Sequence, residues 1–287
     1  MDIAGRSDVG RVRGNNEDSF KLLPELDLFV LSDGMGGEAH GEVASAMAVE
    51  TIIQHCQEAA KNPGVPMEGE PRLDLTEKSN RLLSAIRLAN KKIYLQASSN
   101  AAQKGMGATV VAIWLDGQRL CVGHVGDSRA YLMRAGDLQQ LTEDHSLVAE
   151  QVRRGILTQQ QADQSKNQSV LLRALGIEET VEADASEHIL LDGDAVLLCS
   201  DGLDRMVTDP EIGSAILTSA GSAPAVDRLI ELALENGGED NVTVVLLRVQ
   251  KVNDGFLLRL WRWLNGPLQS TSSDEKDRDD KDREEKS

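Results

Sequence analysis

Three closely spaced β-like segments in the middle of the chain constrain its fold more than any other feature. They cover residues 109–115, 119–125 and 130–134, and short turns such as Asp116-Gly117 join them. Apolar segments separated by so few residues, with Asp-Gly between two of them, are typical of β-hairpins. We therefore expect antiparallel pairing in this region.

The other periodicities group strands with strands and helices with helices. Further β-like segments lie at 26–31 and 241–249, and two more, at 188–191 and 195–199, flank Asp192-Gly193, which we interpret as another hairpin turn. Helical spacing of apolar residues predicts helices over 40–60, 73–97, 143–154, 209–218 and 223–235. This grouping favours an α+β fold in which helices cover antiparallel sheets, built as one domain over residues 1–250.

The end of the chain differs from this domain in composition. We predict an amphipathic segment at 251–269 and a disordered charged tail at 270–287. Residues 274–287 contain eight acidic and five basic residues and no apolar one. Two of the three Trp lie within 256–264, a stretch too short to span a bilayer. Packing of 256–264 onto the domain and docking to a protein partner or a membrane interface remain alternatives.

Charge and cysteine content limit the partners and the compartment. The chain has 47 Asp and Glu against 30 Lys and Arg, and this net charge of −17 argues against nucleic-acid binding. Its first residues lack the basic and apolar regions of a secretory signal. Three widely separated Cys indicate reduced thiols in a cytoplasmic protein. Together with only five scattered His, they argue against zinc and in favour of a harder metal.

Aspartates at the ends of apolar segments are the most informative residues for function. They lie in Asp33-Gly34, Asp127, Asp201-Gly202 and Asp240-Asn241, and Asp18 belongs to a further polar site at 15–18. A carboxylate at the end of a buried strand is costly unless a positive charge meets it. Several such carboxylates could share one or two cations, and oxygen ligands favour Mg²⁺ or Mn²⁺.

An Asp-Gly pair is also a common turn, so each pair alone favours a turn over a ligand. The joint pattern changes this balance. Asp33 and Asp201 follow apolar strands, but helical segments come next, so a hairpin does not account for them. The glycine after Asp33 also leaves room for the Gly34 carbonyl to act as an additional ligand.

Eight motifs in order carry a resemblance to a known family. They are RGNNED (13–18), SDGMGG (32–37), GMGAT (105–109), GHVGDSRA (123–130), LTEDHS (141–146), RALG (173–176), LCSDGL (198–203) and DNVT (240–243). This set resembles the metal-dependent protein phosphatase (PPM) family, type 2C, and particularly its bacterial members. The resemblance covers essentially residues 1–250 and implies a four-layer αββα sandwich, with two antiparallel β-sheets flanked by helices.

The resemblance also implies a ligand set for two Mg²⁺ or Mn²⁺ ions and a third ion as in bacterial relatives. The implied ligands of the pair are Asp18, Asp33, Asp201, Asp240 and the Gly34 carbonyl. Asp127 would hold the third ion together with Asp201, and Asp204 would support it through water. Glu17 would orient metal-bound water, and Arg13 would bind the substrate phosphate.

The implied reaction is hydrolysis of phosphoserine and phosphothreonine in proteins, which opposes serine/threonine kinases. A water bridging two metal ions attacks phosphorus in line with the leaving oxygen, while the ions and Arg13 stabilise charge. Arg13, Asp33 and Asp201 are therefore the expected catalytic residues. The family precedent is a monomer. A catalytically idle phosphoprotein-binding module of the same fold is the alternative from a different class, and a regulatory subunit recruited through its C-terminal segment is a third.

Histidines and the region around 146–169 carry secondary expectations. Many animal members have His directly after the second Asp-Gly, but Met35 stands there, which leaves His40 as the candidate general acid, with local hydrogen bonding near a helix start as its alternative. We expect His124 to be structural and His145 to position the following loop. The polar stretch 146–169 corresponds to a flap beside the active site in bacterial members. Arg173 fits either an ion pair or a substrate contact.

Overall fold

A computed structural model describes residues 1–36, 40–162 and 164–249 of the 287-residue chain. The predicted amphipathic segment at 251–269, its 256–264 stretch and the charged tail at 270–287 lie outside the described residues. Within the described part, no helix has the length and apolarity that a bilayer crossing requires.

Strands and short helices alternate with four longer helices along the chain. The strands are β1 (Asp2–Asp8), β2 (Asp18–Leu23), β3 (Leu28–Met35), β4 (Gly107–Ala108), β5 (Val110–Asp116), β6 (Arg119–Val125), β7 (Arg129–Arg134), β8 (Asp137–Gln140), β9 (Asp184–Ile189), β10 (Ala195–Cys199) and β11 (Val242–Arg248). The helices are α1 (Gly41–Lys61), α2 (Glu77–Ser99), α3 (Leu147–Arg153), α4 (Gln159–Ala162), α5 (Asp201–Asp204), α6 (Asp209–Thr218) and α7 (Ser222–Glu235). Single turns of 3₁₀ helix lie at Pro24–Leu26 and Ala101–Gln103.

The strands form two antiparallel sheets, as the sequence predicts. One sheet has the order β1-β11-β10-β7-β8, and the other has the order β2-β3-β5-β6-β9, with β4 pairing to β3. The β5–β6 pairing runs through a hairpin whose register aligns Asp116 with Arg119, which confirms the turn at Asp116-Gly117.

Three apolar clusters separate four layers. In β3, Leu28 and Val30 point into the cluster shared with α1 and α2, whereas Phe29 and Leu31 point into the cluster between the sheets. A third cluster joins the other sheet to α6 and α7 through residues such as Leu197 and Leu229. Strands with two buried faces read as continuous apolar runs. This arrangement confirms the α+β fold with an αββα layer order.

Asp192-Gly193 differs from the predicted hairpin turn. The strand before it, β9, pairs with β6 in one sheet, whereas β10 pairs with β7 and β11 in the other. The segment therefore connects the sheets. The strand expected at 188–191 begins earlier, at Asp184, and ends at Ile189. The helix expected from residue 73 begins at Glu77, because the Thr76 side chain caps it by accepting from the Ser79 N–H.

Glu187 of β9 ties the start of α2 to the sheet. Its Oε1 accepts hydrogen bonds from the Thr76 N–H at 2.7 Å, the Thr76 hydroxyl at 2.6 Å and the Ser79 hydroxyl at 2.7 Å. Arg119 Nη1 donates to Oε2 at 2.9 Å. Burial raises the pKa of Glu187, but these hydrogen bonds outweigh it and lower the pKa to about 2.

Replacing Glu187 with Gln should lower the free energy of unfolding by about 1–3 kcal/mol at neutral pH, because a charged acceptor of several hydrogen bonds is lost. A folded-state pKa below the ordinary value of 4.5 means that this stabilisation is complete above that pH. It should disappear as the pH falls towards about 2. Urea unfolding of both proteins across this range measures the difference. Glu25→Gln, at an exposed site, is the control, and a pH-independent difference would contradict the account.

Candidate metal centre

Carboxylates from both sheets meet at one end of the sandwich. Asp18 and Asp33 are register partners on β2 and β3, so they lie side by side in one sheet. Asp201 directly follows β10 at the first turn of α5, and Asp240 precedes β11 in the other sheet. Asp127 lies in the turn between β6, in the first of these sheets, and β7, in the second. The structure therefore brings the predicted strand-end aspartates together.

An open cavity exposes most of this group to solvent. The charged residues that line it are Arg13, Glu17, Asp33, Asp127, Asp201, Arg205 and Asp240. Gly34, Thr109 and Asn241 also line it, and Ser169 and Leu171 contribute from the end of the predicted flap. Asp18 lies behind this lining. A second, shallower groove between α1 and α2 lies away from these carboxylates.

Hydrogen bonds fix Asp18 between the two sheets. Its Oδ2 accepts from the Ser200 hydroxyl at 2.7 Å and from the Thr243 hydroxyl at 2.6 Å, and both donors belong to the other sheet's side of the site. Its Oδ1 is buried without a hydrogen-bond partner, as is Oδ1 of Asp201. Buried carboxylate oxygens without partners are rare in folded proteins, and a cation is the usual explanation at such a point.

Burial and mutual repulsion raise the pKa values of the central carboxylates. Burial, partly offset by hydrogen bonds from Thr243 and Ser200 and reinforced by the charge of Asp201, raises the pKa of Asp18 to about 7. Burial and then the charges of Asp18 and Asp201 hold the pKa of Asp33 well above its ordinary value, although Asp33 keeps some solvent contact through the cavity. Burial, reinforced by Asp201, raises that of Asp127 to about 7. The group carries more negative charge than the protein compensates, so it fits divalent cations bound through oxygen.

Close backbone contacts explain the glycines at this site. A Cβ on Gly34 would lie 2.1 Å from the Gly41 carbonyl oxygen and 2.7 Å from that of Glu17. A Cβ on Gly202 would lie 2.0 Å from the Asn241 carbonyl oxygen. The Gly34 N–H also donates to the Glu17 carbonyl at 3.0 Å. Larger residues would therefore push apart the segments that carry the carboxylates.

Two arginines reach the cavity from opposite sides. Arg13 Nη2 lies 2.8 Å from Asp240 Oδ2, and its side chain is 55% exposed at the rim. Arg205 Nη2 lies 2.6 Å from Asp201 Oδ2 and 3.4 Å from Asp127 Oδ2. Sequence reasoning missed Arg205, whose only signal was its position four residues after Asp201.

The residues expected to support the centre lie in different surroundings. Glu17 lines the cavity, and burial and then the charge of Glu42 raise its pKa. Asp204 is not among the described residues that line the cavity. It pairs with Arg129 Nη1 at 3.0 Å, and Arg129 Nη2 also lies 2.6 Å from Asp144.

The histidines lie outside the carboxylate group. His40 precedes α1 with a left-handed φ of 74° and its Nδ1 lies 3.5 Å from Glu42 Oε1; it is not among the described lining residues. This contact supports its local alternative. His124 Nε2 lies 2.9 Å from the Glu143 carbonyl oxygen, as expected for a structural histidine.

His124, His145 and Asp184 are close enough together to hold a metal ion, but their atoms already have partners. His145 Nδ1 accepts from the Gly126 N–H at 3.1 Å, so its Nε2 carries the proton donated to Asp184 Oδ2 at 3.0 Å. The hydrogen bond from His145 lowers the pKa of Asp184 to about 2. Arg173 Nη1 lies 3.2 Å from Asp184 Oδ1, which favours the ion-pair interpretation of Arg173.

Similarity to known proteins identifies the class that this fold and site define. Two antiparallel sheets between helical layers, with carboxylates converging at one end, are found in phosphatases of type 2C. Residues 11–246 match the model of the family "Protein phosphatase 2C". The chain belongs to this family, as its motifs indicate.

Bacterial relatives agree with this assignment. The chain is 36% identical over 253 residues to the serine/threonine phosphatase stp of Listeria welshimeri, covering 87% of this chain and 96% of the relative. It is 40% identical to the solved serine/threonine phosphatase PstP/Ppp of Mycobacterium tuberculosis, with a TM-score of 0.75 and coverage of 86% and 98%. A structure of the PstP catalytic domain in complex with two manganese ions is also 40% identical, with a TM-score of 0.71 and coverage of 85% and 96%.

Asp18→Asn should stabilise the metal-free protein by about 2 kcal/mol at pH 8, because it removes a buried charge that no cation compensates. The same change should reduce the gain in stability on adding Mn²⁺. Thermal unfolding with EDTA and with Mn²⁺ measures both effects.

Asp194→Asn is the matched control for Asp18→Asn. Asp194 is 3% exposed but pairs with Arg134 at 2.6 Å, so its replacement should destabilise both forms. If Asp18→Asn destabilised the metal-free protein as Asp194→Asn does, the excess of negative charge at the centre would be refuted.

Proposed function

We propose that this protein is a phosphatase that uses Mn²⁺ or Mg²⁺ to hydrolyse phosphoserine and phosphothreonine in proteins. The observation that carries the proposal is the group of buried, uncompensated carboxylates beneath an open cavity with Arg13 at its rim. The family assignment supports the reaction, and the relative that holds two manganese ions supports the cofactor.

The central carboxylates hold the metal ions in this proposal. Asp33, Asp201 and Asp240 line the cavity, and Asp18 lies behind it with a free Oδ1, so together they surround one place. The Gly34 carbonyl completes one ligand set, and Asp127 shares a further ion with Asp201. When bound, the divalent ions activate water for attack on phosphorus and neutralise charge on the phosphate oxygens.

Arg13 and Glu17 orient the reactants. Arg13 lies at the rim, and its planar guanidinium offers two parallel donors that suit a phosphate group. Its present partner, Asp240, keeps it beside the place where the phosphate would lie. Glu17 holds its carboxylate in the cavity lining, where it can accept a hydrogen bond from the attacking water.

Catalysis is favoured over the idle phosphoprotein-binding alternative. A module that only binds phosphoproteins has no need for buried carboxylates whose repulsion opposes folding. Here Asp18, Asp33, Asp127, Asp201 and Asp240 are all present and brought together. The cost of this repulsion makes sense if the cations that relieve it also serve the reaction.

The substrates, the assembly state and the compartment complete the proposal. The substrates are phosphoproteins produced by serine/threonine kinases, and the protein acts as a monomer in the cytoplasm. The buried, free thiols of Cys56, Cys121 and Cys199 support a reducing compartment. The alternatives for 256–264 stay open.

Asp33→Asn should reduce hydrolysis of a phosphothreonine peptide to below about 1% of the wild-type rate while the fold is retained, because a central ligand is weakened. Initial rates with Mn²⁺, together with far-UV circular dichroism, measure this. Asp116→Asn is the matched control, since it changes another Asp-Gly pair that forms an exposed hairpin turn. Full activity of Asp33→Asn would refute the proposed site.

Arg13→Ala should raise KM for the peptide about tenfold or more with a smaller loss in kcat, because phosphate binding is weakened more than the chemical step. Steady-state kinetics at saturating Mn²⁺ separate the two constants. Arg11→Ala is the control, because Arg11 donates to the Leu234 carbonyl at 2.8 Å and does not line the cavity. An unchanged KM would remove Arg13 from substrate binding.

A further inference from the structure

Arg205 lies between two carboxylates of the metal centre. It follows α5, whose first residue is Asp201, and its side chain turns back into the cavity lining, where it is 24% exposed. Its Nη2 lies 2.6 Å from Asp201 Oδ2 and 3.4 Å from Asp127 Oδ2. Within the described part of the chain, these carboxylates are its only ion-pair partners.

The neighbouring acids do not need Arg205 for their own compensation. Asp204 and Asp144 share Arg129, at 3.0 Å and 2.6 Å. Arg205 therefore provides one positive charge to two carboxylates that are otherwise without a cation. A guanidinium keeps its charge at every physiological pH, so this compensation is permanent.

One guanidinium compensates the pair only in part. Asp127 and Asp201 carry two negative charges when ionised, and Oδ1 of Asp201 remains buried without a partner. A divalent ion between the same two residues would compensate them fully, but it would have to displace the guanidinium from Asp127 Oδ2 and Asp201 Oδ2. The two cations are thus mutually exclusive at these oxygens.

We propose that Arg205 competes with a third divalent cation for Asp127 and Asp201. The proposal rests on the proposed function, in which Asp18, Asp33, Asp201 and Asp240 hold a pair of ions. Arg205 makes the third ion weak while leaving the pair tight. The chain therefore takes up its third ion only when the divalent cation is abundant, and Arg205 sets that concentration.

Isothermal titration calorimetry with Mn²⁺ tests the competition. The full-length protein is first freed of metal with EDTA and dialysed, and wild type is compared with Arg205→Gln and Arg205→Lys. We expect two tight ions in all three. The third should bind roughly tenfold to a hundredfold more tightly in Arg205→Gln, since charge-assisted hydrogen bonds no longer have to be broken. Arg205→Lys, which keeps the charge but lacks the planar fork, should lie between them.

Two further variants show where the effect arises. Arg134→Gln changes the net charge equally, but Arg134 pairs with Asp194 and does not line the cavity, so it should leave the third affinity at the wild-type value. Adding Asp127→Asn to Arg205→Gln should abolish the gain. Thermal unfolding of each metal-free variant verifies that it is folded before titration.

The outcomes separate the inference from the proposed function. An unchanged or weaker third affinity in Arg205→Gln would overturn the competition, as would an equal gain in Arg134→Gln. A gain that survives Asp127→Asn would place the ion elsewhere and also overturn it. No Mn²⁺ binding by wild type or any variant would instead refute the metal centre itself, and the competition with it.

Discussion

Repulsion among carboxylates that the fold forces together is the constraint on which the rest of the site depends. Two sheets packed through an apolar interior place their strand ends at a common edge, and each contributes acids to it. Asp18 cannot move away, because Ser200 and Thr243 hold its Oδ2 from the opposite sheet. Gly34 and Gly202 allow the connecting segments to approach at distances that no side chain would permit. The negative charge is therefore built into the framework.

The treatment of other acids in the same protein makes this centre stand out. Elsewhere, strongly buried acids have cationic partners, as in the pairs Asp194–Arg134, Glu187–Arg119, Asp204–Arg129 and Asp184–Arg173. At the centre, only Arg13 and Arg205 approach, and each reaches it from the side. Asp18 Oδ1 and Asp201 Oδ1 are left without partners. A protein that pairs its acids so consistently leaves this group unpaired because divalent ions complete it.

Much of the fold could be predicted because strands with two buried faces give unmistakable apolar runs. The bounds of β6 and β10 agree with those predicted, and the hairpin at Asp116-Gly117 was identified from turn chemistry. Edge strands were missed, since β1 and β8 carry mixed or polar residues that show no clear period. Asp192-Gly193 was misinterpreted because local turn chemistry does not specify which sheet the next strand joins.

The site was predictable in its acids and less so in its cations. Asp33 and Asp201 are recognisable because a buried strand ends at a charge, which is a local feature of the sequence. Arg205 is recognisable only after folding, because its meaning depends on Asp127, which lies far away in the chain. Its proximity to Asp127 arises from the pairing of β7 with β10, a tertiary contact that local patterns do not contain.

Anomalous diffraction at the manganese absorption edge, from crystals of the full-length protein grown with Mn²⁺, tests the central claim most directly. The account predicts two strong peaks among the carboxylates of Asp18, Asp33, Asp201 and Asp240. Peaks confined to His124, His145 and Asp184, or no peak at the carboxylates at saturating Mn²⁺, would contradict it.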